Sequence, residues 1–267
     1  MIRYDYHIHT SHSFDSYASI EAVIQSAEHA GLREIAITDH IDFSFPDNKV
    51  ISPLGAEANI AKVHRARREH DGYLSILGGV ELGLRPDVAN AAMQITERLD
   101  YDLVLGSTHE FYEVSYGSHE YYEGLSKQEA YLRYFANLYN TICSVDAWDV
   151  LGHIDYIKRY GMYRDKSLHY HEYRDIIDAI LIYVISAGKG IEVNTSGIGS
   201  NCGIIPDIGI LARYKELGGE ILTVGSDAHS PEGIAHGFEE ALAVLQDVGI
   251  RYITTFKRRK PSFIKIE

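Results

Sequence analysis

Cysteine is almost missing from this chain of 267 residues: Cys143 and Cys202 stand far apart and form no Cys-x-x-Cys pair. That excludes a disulfide framework and a zinc site built on paired thiolates. Basic residues are in deficit, with 25 Lys plus Arg against 38 Asp plus Glu and a net charge of −13. Such a surface repels phosphate backbones and anionic lipid, so no nucleic-acid or membrane partner is expected. Long apolar runs are lacking as well; the stretch 180–187 falls far short of the ~20 residues a bilayer-spanning helix requires. The opening Met1-Ile2-Arg3-Tyr4-Asp5-Tyr6-His7 carries charge where a secretory signal needs an unbroken apolar segment, so the chain is expected to stay in the cytoplasm. No Pro/Gly/Ser linker, internal repeat or shift in composition divides the sequence, and residues 1–267 are read as a single domain.

What is present is a globular balance, 45% hydrophobic and 24% charged. Short β-type runs alternate with longer stretches of helical spacing, the pattern of βα units around a parallel sheet. Seven such runs fall at 2–7, 34–38, 74–80, 102–106, 149–152, 190–193 and 221–225, with a weaker final run at 251–256. Ile20, Val23, Ile24 and Ala27 predict a helix capped by Ser19 and ended by Gly31. Helices are also expected over 125–144 and 170–187, and Ser230-Pro231-Glu232 predicts one starting directly after the seventh strand. The Tyr-, Gly- and Glu-rich tract 110–123 reads as a long loop over the site, with Tyr112 and Tyr116 placed to cover a pocket.

The unusual figure is 14 histidines. His7 and His9 end the first strand, where alternation points both imidazoles to one face. His40, Glu81, His109 and His153 lie at or just past the ends of four further strands, and Asp227 with His229 past the seventh. In βα barrels the C-terminal strand ends are where loops converge on an active site. With Asp15 in the first loop, the set holds six histidines and three carboxylates. Nine positions are too many for one ion, since a catalytic zinc commonly takes three protein ligands. Three divalent ions sharing a bridging carboxylate would use them all, and mixed imidazole and carboxylate donors suit Zn, Mn or Fe. A shared centre requires His7 and His153 to lie within about 10 Å, because metal–ligand bonds span only about 2.0–2.2 Å. Of the other histidines, His29, His64, His70, His169 and His171 read as solvated surface, while His12, His119 and His236 fall nearer the site.

His7-x-His9, Thr38-Asp39-His40, Glu81, Ser107-Thr108-His109, Gly152-His153-Ile154-Asp155 and Gly225-Ser226-Asp227-Ala228-His229, in this order and spacing, resemble the PHP (polymerase and histidinol phosphatase) family, and within it the monofunctional histidinol-phosphatase branch. The resemblance implies a distorted (βα)7 TIM-like barrel with a trinuclear metal centre. It implies one ion on His7, His9, Glu81 and Asp227, a second on Glu81, His109 and His153, and a third on Asp15, His40 and His229. Glu81, Asp227 and His229 form its catalytic subset. Part of the family has histidine where Asp15 stands, so this chain sides with the carboxylate-containing phosphatases.

The implied activity is phosphomonoester hydrolysis, with L-histidinol phosphate as the expected substrate in histidine biosynthesis and another small phosphate ester or nucleotide as the alternative. Arg159, six residues beyond His153, is expected in a loop rimming the pocket, where a forked guanidinium suits phosphate; Lys158 and Arg164 are weaker candidates of the same kind. Asp42, Phe43, Phe45, Glu110, Tyr112 and Glu113 are candidates for recognising the ammonium and imidazole of such a substrate. A non-catalytic metal-binding module is disfavoured because all nine positions are filled. An amidohydrolase would need a lysine after a strand, and none stands there.

Overall fold

The computed structural model describes residues 1–43, 53–200 and 202–266. In chain order the elements are β1 (Tyr4–Ile8), α1 (Ile20–His29), β2 (Glu34–Ile37), β3 (His40–Ile41), α2 (Pro53–Glu69), β4 (Ser75–Gly83), α3 (Ala89–Arg98), β5 (Leu103–Ser107), β6 (Glu110–Phe111), β7 (Val114–Ser115), α4 (His119–Tyr122), α5 (Lys127–Ser144), β8 (Val150–Leu151), α6 (Ile157–Tyr160), α7 (Arg174–Ser186), β9 (Gly190–Asn194), α8 (Ile208–Glu216), β10 (Leu222–Gly225), α9 (Phe238–Val248), β11 (Tyr252–Lys257) and β12 (Lys260–Lys265). Seven strands pair in parallel in the order β1-β2-β4-β5-β8-β9-β10, with β3 beside the end of β4. The sheet curls until Asp227 N–H donates to His7 O (2.8 Å) and His9 N–H to Ala228 O (2.9 Å), which nearly closes the barrel. The parallel sheet of βα units expected from the alternation of elements is thus the distorted (βα)7 barrel that the family resemblance implies.

Local chemistry explains the element ends. Ser19 Oγ accepts from Ala22 N–H at 3.1 Å to start α1, and Gly31, at φ +70°, follows its end. Ser126 and Glu129 form a reciprocal capping box at α5, inside the predicted helix 125–144. The helix predicted at Ser230 does not begin there. Residues Pro231–Gly233 make one 3₁₀ turn, and α9 starts only at Phe238. The intervening backbone is held elsewhere, because Ala235 sits at φ +58° and donates its N–H to Asp5 Oδ2 at 3.1 Å. Likewise 170–187 divides into a 3₁₀ turn at Tyr170–Glu172 and α7.

Most of the core lies between barrel and helices; a second apolar cluster of Tyr6, Ala36, Leu77, Leu103, Leu105, Val150 and Phe256 fills the barrel interior. The weak run at 251–256 becomes one arm of an antiparallel hairpin, β11–β12, that plugs the end of the barrel remote from the expected site. Its two-residue turn, Arg258-Arg259, has both residues at positive φ, as a primed hairpin turn requires but arginine disfavours. Acceptors on the barrel hold that turn: Arg258 N–H reaches Asp102 Oδ1 (3.1 Å), Arg259 N–H reaches Asp102 O (2.9 Å), and the Arg259 guanidinium reaches Asp149 at 2.9–3.0 Å. Among the described residues, no helix is long and apolar enough to cross a membrane.

If the hairpin plugs the barrel, its two phenylalanines differ in worth. Phe256, 4% exposed, is expected to lose about 3–5 kcal/mol of unfolding free energy on replacement by Ala. Phe263→Ala, at a side chain 51% exposed, should stay within about 0.5 kcal/mol in the same urea titration.

Candidate metal centre

The nine predicted positions converge at the C-terminal mouth of the barrel. Ring centroids of His7 and His153, from the first and fifth strands, are 5.8 Å apart. Two of the positions leave their strands through left-handed backbone, His153 at φ +21° and Asp227 at φ +55°. Such values cost energy in non-glycine residues, and here they turn both side chains into the mouth.

Glu81 lies at the centre and is 1% exposed. Its two oxygens face different neighbours. Oε2 lies 3.2 Å from His7 Nε2, 3.5 Å from His9 Nε2 and 3.1 Å from His40 Nδ1; Oε1 lies 3.1 Å from His109 Nε2 and 2.8 Å from His153 Nε2. Asp227 Oδ1 adds contacts of 3.7 Å to His7 Nε2 and 3.4 Å to His9 Nε2. At the rim, Asp15 Oδ2 stands 3.0 Å from His229 Nε2 and 3.5 Å from His40 Nε2. His9 joins this outer group, its ring 4.4 Å from that of His40 and 4.2 Å from that of His229.

These atoms fit divalent cations. His7 Nε2, His9 Nε2, His40 Nδ1 and Glu81 Oε2 are buried without hydrogen-bond partners, which is costly for groups that strong unless another partner takes them up. Donors about 2.0–2.2 Å from a tetrahedral ion stand roughly 3.3–3.6 Å apart, close to the spacings above. Among the described residues, four groups of side chains bring one donor atom each to within 4.8 Å of one another: His7 with His9 and Glu81; Glu81 with His109 and His153; His9 with Asp15, His40 and His229; and His40 with Asp42 and His109.

The last group includes a residue expected in another role. Asp42 is buried between two imidazoles, 3.1 Å from His109 Nδ1 and 3.3 Å from His40 Nδ1, so it is not free at the mouth to meet a substrate. Gly83 makes room for it, since a Cβ there would lie 1.9 Å from Asp42 Oδ1. Ser13 and Glu192 carry no motif in the sequence, and Asp39 enters there only as the middle of Thr38-Asp39-His40. Ser13 Oγ donates to Asp39 Oδ1 (2.8 Å) and, with its one proton spent, accepts from His9 Nδ1–H (2.9 Å). His229 Nδ1 rests on Asp227 O at 2.9 Å, and His7 Nδ1 on Glu192. Each of these contacts leaves Nε2 facing the centre, as outer partners of metal-binding histidines do.

A cavity of about 80 Å³ opens on Asp15, His40, Glu81, His109, His153, Asp227 and His229, with Tyr156, Arg159 and Tyr160 completing its wall. Arg159 belongs to the one-turn α6 rather than to a loop. Its guanidinium lies 3.3 Å from Asp227 Oδ2 and donates to Ser196 Oγ. Lys158 is engaged elsewhere, by Ile204 O at 2.7 Å and Asp155 at 3.0 Å, and Arg164 is exposed away from this wall.

The other expected recognition residues do not line the cavity. Glu110 pairs with Arg85 at 3.1 Å, Tyr112 and Glu113 are exposed, Phe43 packs against the core, and Phe45 lies outside the described residues. The tract 110–123 forms the β6–β7 hairpin and α4 rather than a long loop. Tyr116 is core, packed edge-on to Tyr121 and Tyr134, because a stacked tyrosine cluster buries more apolar surface than an open lid would. His12 meets Lys62 at 2.8 Å, His236 meets Ile198 O at 2.9 Å, and His119 is exposed. His29, His169 and His171 are exposed as expected, but His64 and His70 are half-buried.

Without cations the centre balances its carboxylates with protons. Burial works against charge on His109, yet Asp42 and Glu81 outweigh it and push its pKa up to about 10. His7 and His40 are raised well above the usual range against the same burial cost, chiefly by Glu192 and by Glu81 respectively. His9 goes the other way, down to about 4, through burial and the charge of His40. Burial would raise Glu81 and Asp227, but the facing imidazoles hold both well below the normal carboxylate range.

A proton on His109 at pH 7 must leave before Nε2 can bind an ion. Adding zinc to the metal-stripped protein is therefore expected to release protons, and affinity should rise with pH between about 6 and 8. Calorimetry in buffers of different ionisation enthalpy counts the protons; a count of zero contradicts this electrostatic picture.

Comparisons with known proteins agree with the geometry. The PHP domain profile matches residues 5–196. A protein of Clostridium acetobutylicum named "Probable histidinol-phosphatase" is 31% identical over 257 residues, covering 96% of this chain and 97% of its own. A histidinol-phosphatase of Lactococcus lactis is 28% identical over 261 residues, covering 97% and 96%. The crystal structure of histidinol phosphate phosphatase from Lactococcus lactis, in complex with zinc, L-histidinol and phosphate, superposes with a TM-score of 0.89 at 27% identity over 97% of this chain and 98% of that one. With the profile match and a 31% identical relative spanning nearly its whole length, this chain belongs to the PHP domain family.

Proposed function

We propose that this chain is a metal-dependent phosphomonoesterase that hydrolyses L-histidinol phosphate to L-histidinol and phosphate, residues 1–267 acting as one cytoplasmic unit. The observation that carries the reading is Glu81, whose two oxygens face separate histidine sets in a cavity that also presents Arg159. The names of the relatives and the ligands in the Lactococcus lactis complex support the same substrate.

In this reading His7, His9, Glu81 and Asp227 hold one ion, Glu81, His109 and His153 a second, and Asp15, His40 and His229 a third, each being zinc, manganese or iron. Such ions, when bound, lower the pKa of water from 15.7 to about 7 and neutralise charge on phosphoryl oxygens. The chain's own groups do the rest. Glu81, Asp227 and Asp15 give the donor set its negative charge, so an acidic protein can present a positive mouth to a phosphate once loaded. Arg159 grips the phosphate with its fork, oriented by Ser196 and Asp227. Tyr156, half-buried and packed on His153 with ring centroids 4.6 Å apart, shields that side from bulk water.

The test is phosphate release from L-histidinol phosphate against a panel of small phosphomonoesters, with Mn or Zn added to metal-free protein. A clear preference for histidinol phosphate is expected, and an equal or stronger preference for a sugar or nucleotide phosphate overturns the substrate assignment. Glu81→Gln keeps the shape but removes the shared charge, so turnover should fall by orders of magnitude with loss of at least one ion. Near-parent turnover at full metal content would end the bridging role. Arg159→Lys keeps the charge but loses two parallel N–H donors, worth roughly 1.5–3 kcal/mol, so kcat/KM should fall about 10- to 100-fold with metal content intact. A value within twofold of the parent would remove Arg159 from phosphate binding.

A further inference from the structure

Resting on the reading that the cluster binds cations, we propose that Glu192 is the positioning residue that locks the two sides of the centre together: one carboxylate holds both the His7 ring and the His153 backbone. Glu192 lies on β9 and is 1% exposed. Its Oε1 is 2.6 Å from His7 Nδ1, and its Oε2 accepts from His153 N–H at 2.9 Å and from Asn194 Nδ2 at 3.2 Å. Asn194 Nδ2 lies in turn 3.3 Å from Asp227 Oδ2.

A carboxylate can only accept, so one His7 proton must sit on Nδ1, and once Nε2 gives up its own proton to make way for a cation its lone pair is aimed towards Glu81 Oε2. The second oxygen anchors the chain where it is strained, at the φ +21° of His153, and this turn delivers His153 Nε2 to Glu81 Oε1 at 2.8 Å. Glu192 thus supports one donor on each side of Glu81. The packing is built around the contact: a Cβ on Gly225 would lie 2.4 Å from His7 Cβ and 2.5 Å from Glu192 Oε1, so only glycine lets the strands come this close.

Glu192→Gln discriminates positioning from mere packing. An amide offers one acceptor and one donor, so either it opposes the His153 N–H with its own NH2, or it faces His7 Nδ1 with NH2 and drives the His7 proton onto Nε2. Metal-stripped parent and variant, full length, are titrated with zinc against a competing chelator. The expected result, read at a temperature where both metal-stripped proteins are folded, is that at least one zinc binds 10- to 100-fold more weakly in the variant. Parent-like affinity and stoichiometry overturn the proposal, and so does a lowered melting temperature with zinc affinity preserved. Should Glu192→Gln fail to fold, nitrogen NMR of the zinc-loaded parent decides instead: an exchange-protected proton on His7 Nδ1 supports the proposal, and a proton on Nε2 overturns it. A parent that binds no zinc overturns the metal reading as well. One that binds zinc without releasing phosphate from histidinol phosphate overturns only the substrate assignment.

Discussion

A single carboxylate buried in the barrel mouth, Glu81, is the constraint around which the rest is arranged. Five imidazoles from four separate chain segments lie within 3.5 Å of its oxygens. A buried carboxylate is tolerable only where positive charge or hydrogen bonds meet it, and every strand that ends beside Glu81 contributes a group that does so. In the metal-free chain protons on the imidazoles meet this demand; cations would meet it at the same atoms. Protons and cations thus compete for one set of donor atoms, which are spaced for ions.

Closure of the barrel and assembly of the centre are one event. The hydrogen bonds joining β1 to the exit of β10 run through His7 O, Asp227 N, His9 N and Ala228 O, so the backbones that seal the sheet carry three of the nine positions. The opposite end has a different task. There Phe256 fills the barrel and Arg259 ties the hairpin to Asp149, at the end away from the histidine cluster. Stability thus sits at the N-terminal ends of the strands and chemistry at the C-terminal ends, as in other βα barrels.

Much of the centre was legible because its signal is local. An apolar run that stops at His, Glu or Asp states both a strand and what stands at its exit, and this happened at His7, His40, Glu81, His109, His153 and Asp227. The failures have equally specific causes. Ser230-Pro231-Glu232 carries good helix-start chemistry, but Asp5, distant in sequence, takes the Ala235 N–H and delays the helix. Tyr116 and Asp42 read as residues of an exposed mouth because polarity says nothing of which neighbours will enclose a side chain. The β11–β12 hairpin read only as one weak strand, its partner arm being mostly polar or exposed.

By itself the sequence determined the alternation of seven strands with helices and the side chains offered at each strand exit, since these depend on periodicity within a dozen residues. It could not determine how those side chains are held. Glu192 lies 185 residues from His7, Asp42 lies 67 from His109, and Arg159 lies 68 from Asp227. Within its strand Glu192 is only an acid in an apolar run. Which imidazole it meets, and so which nitrogen is left facing Glu81, follows from the curvature that brings β9, β10 and β1 together, a property of the closed barrel alone.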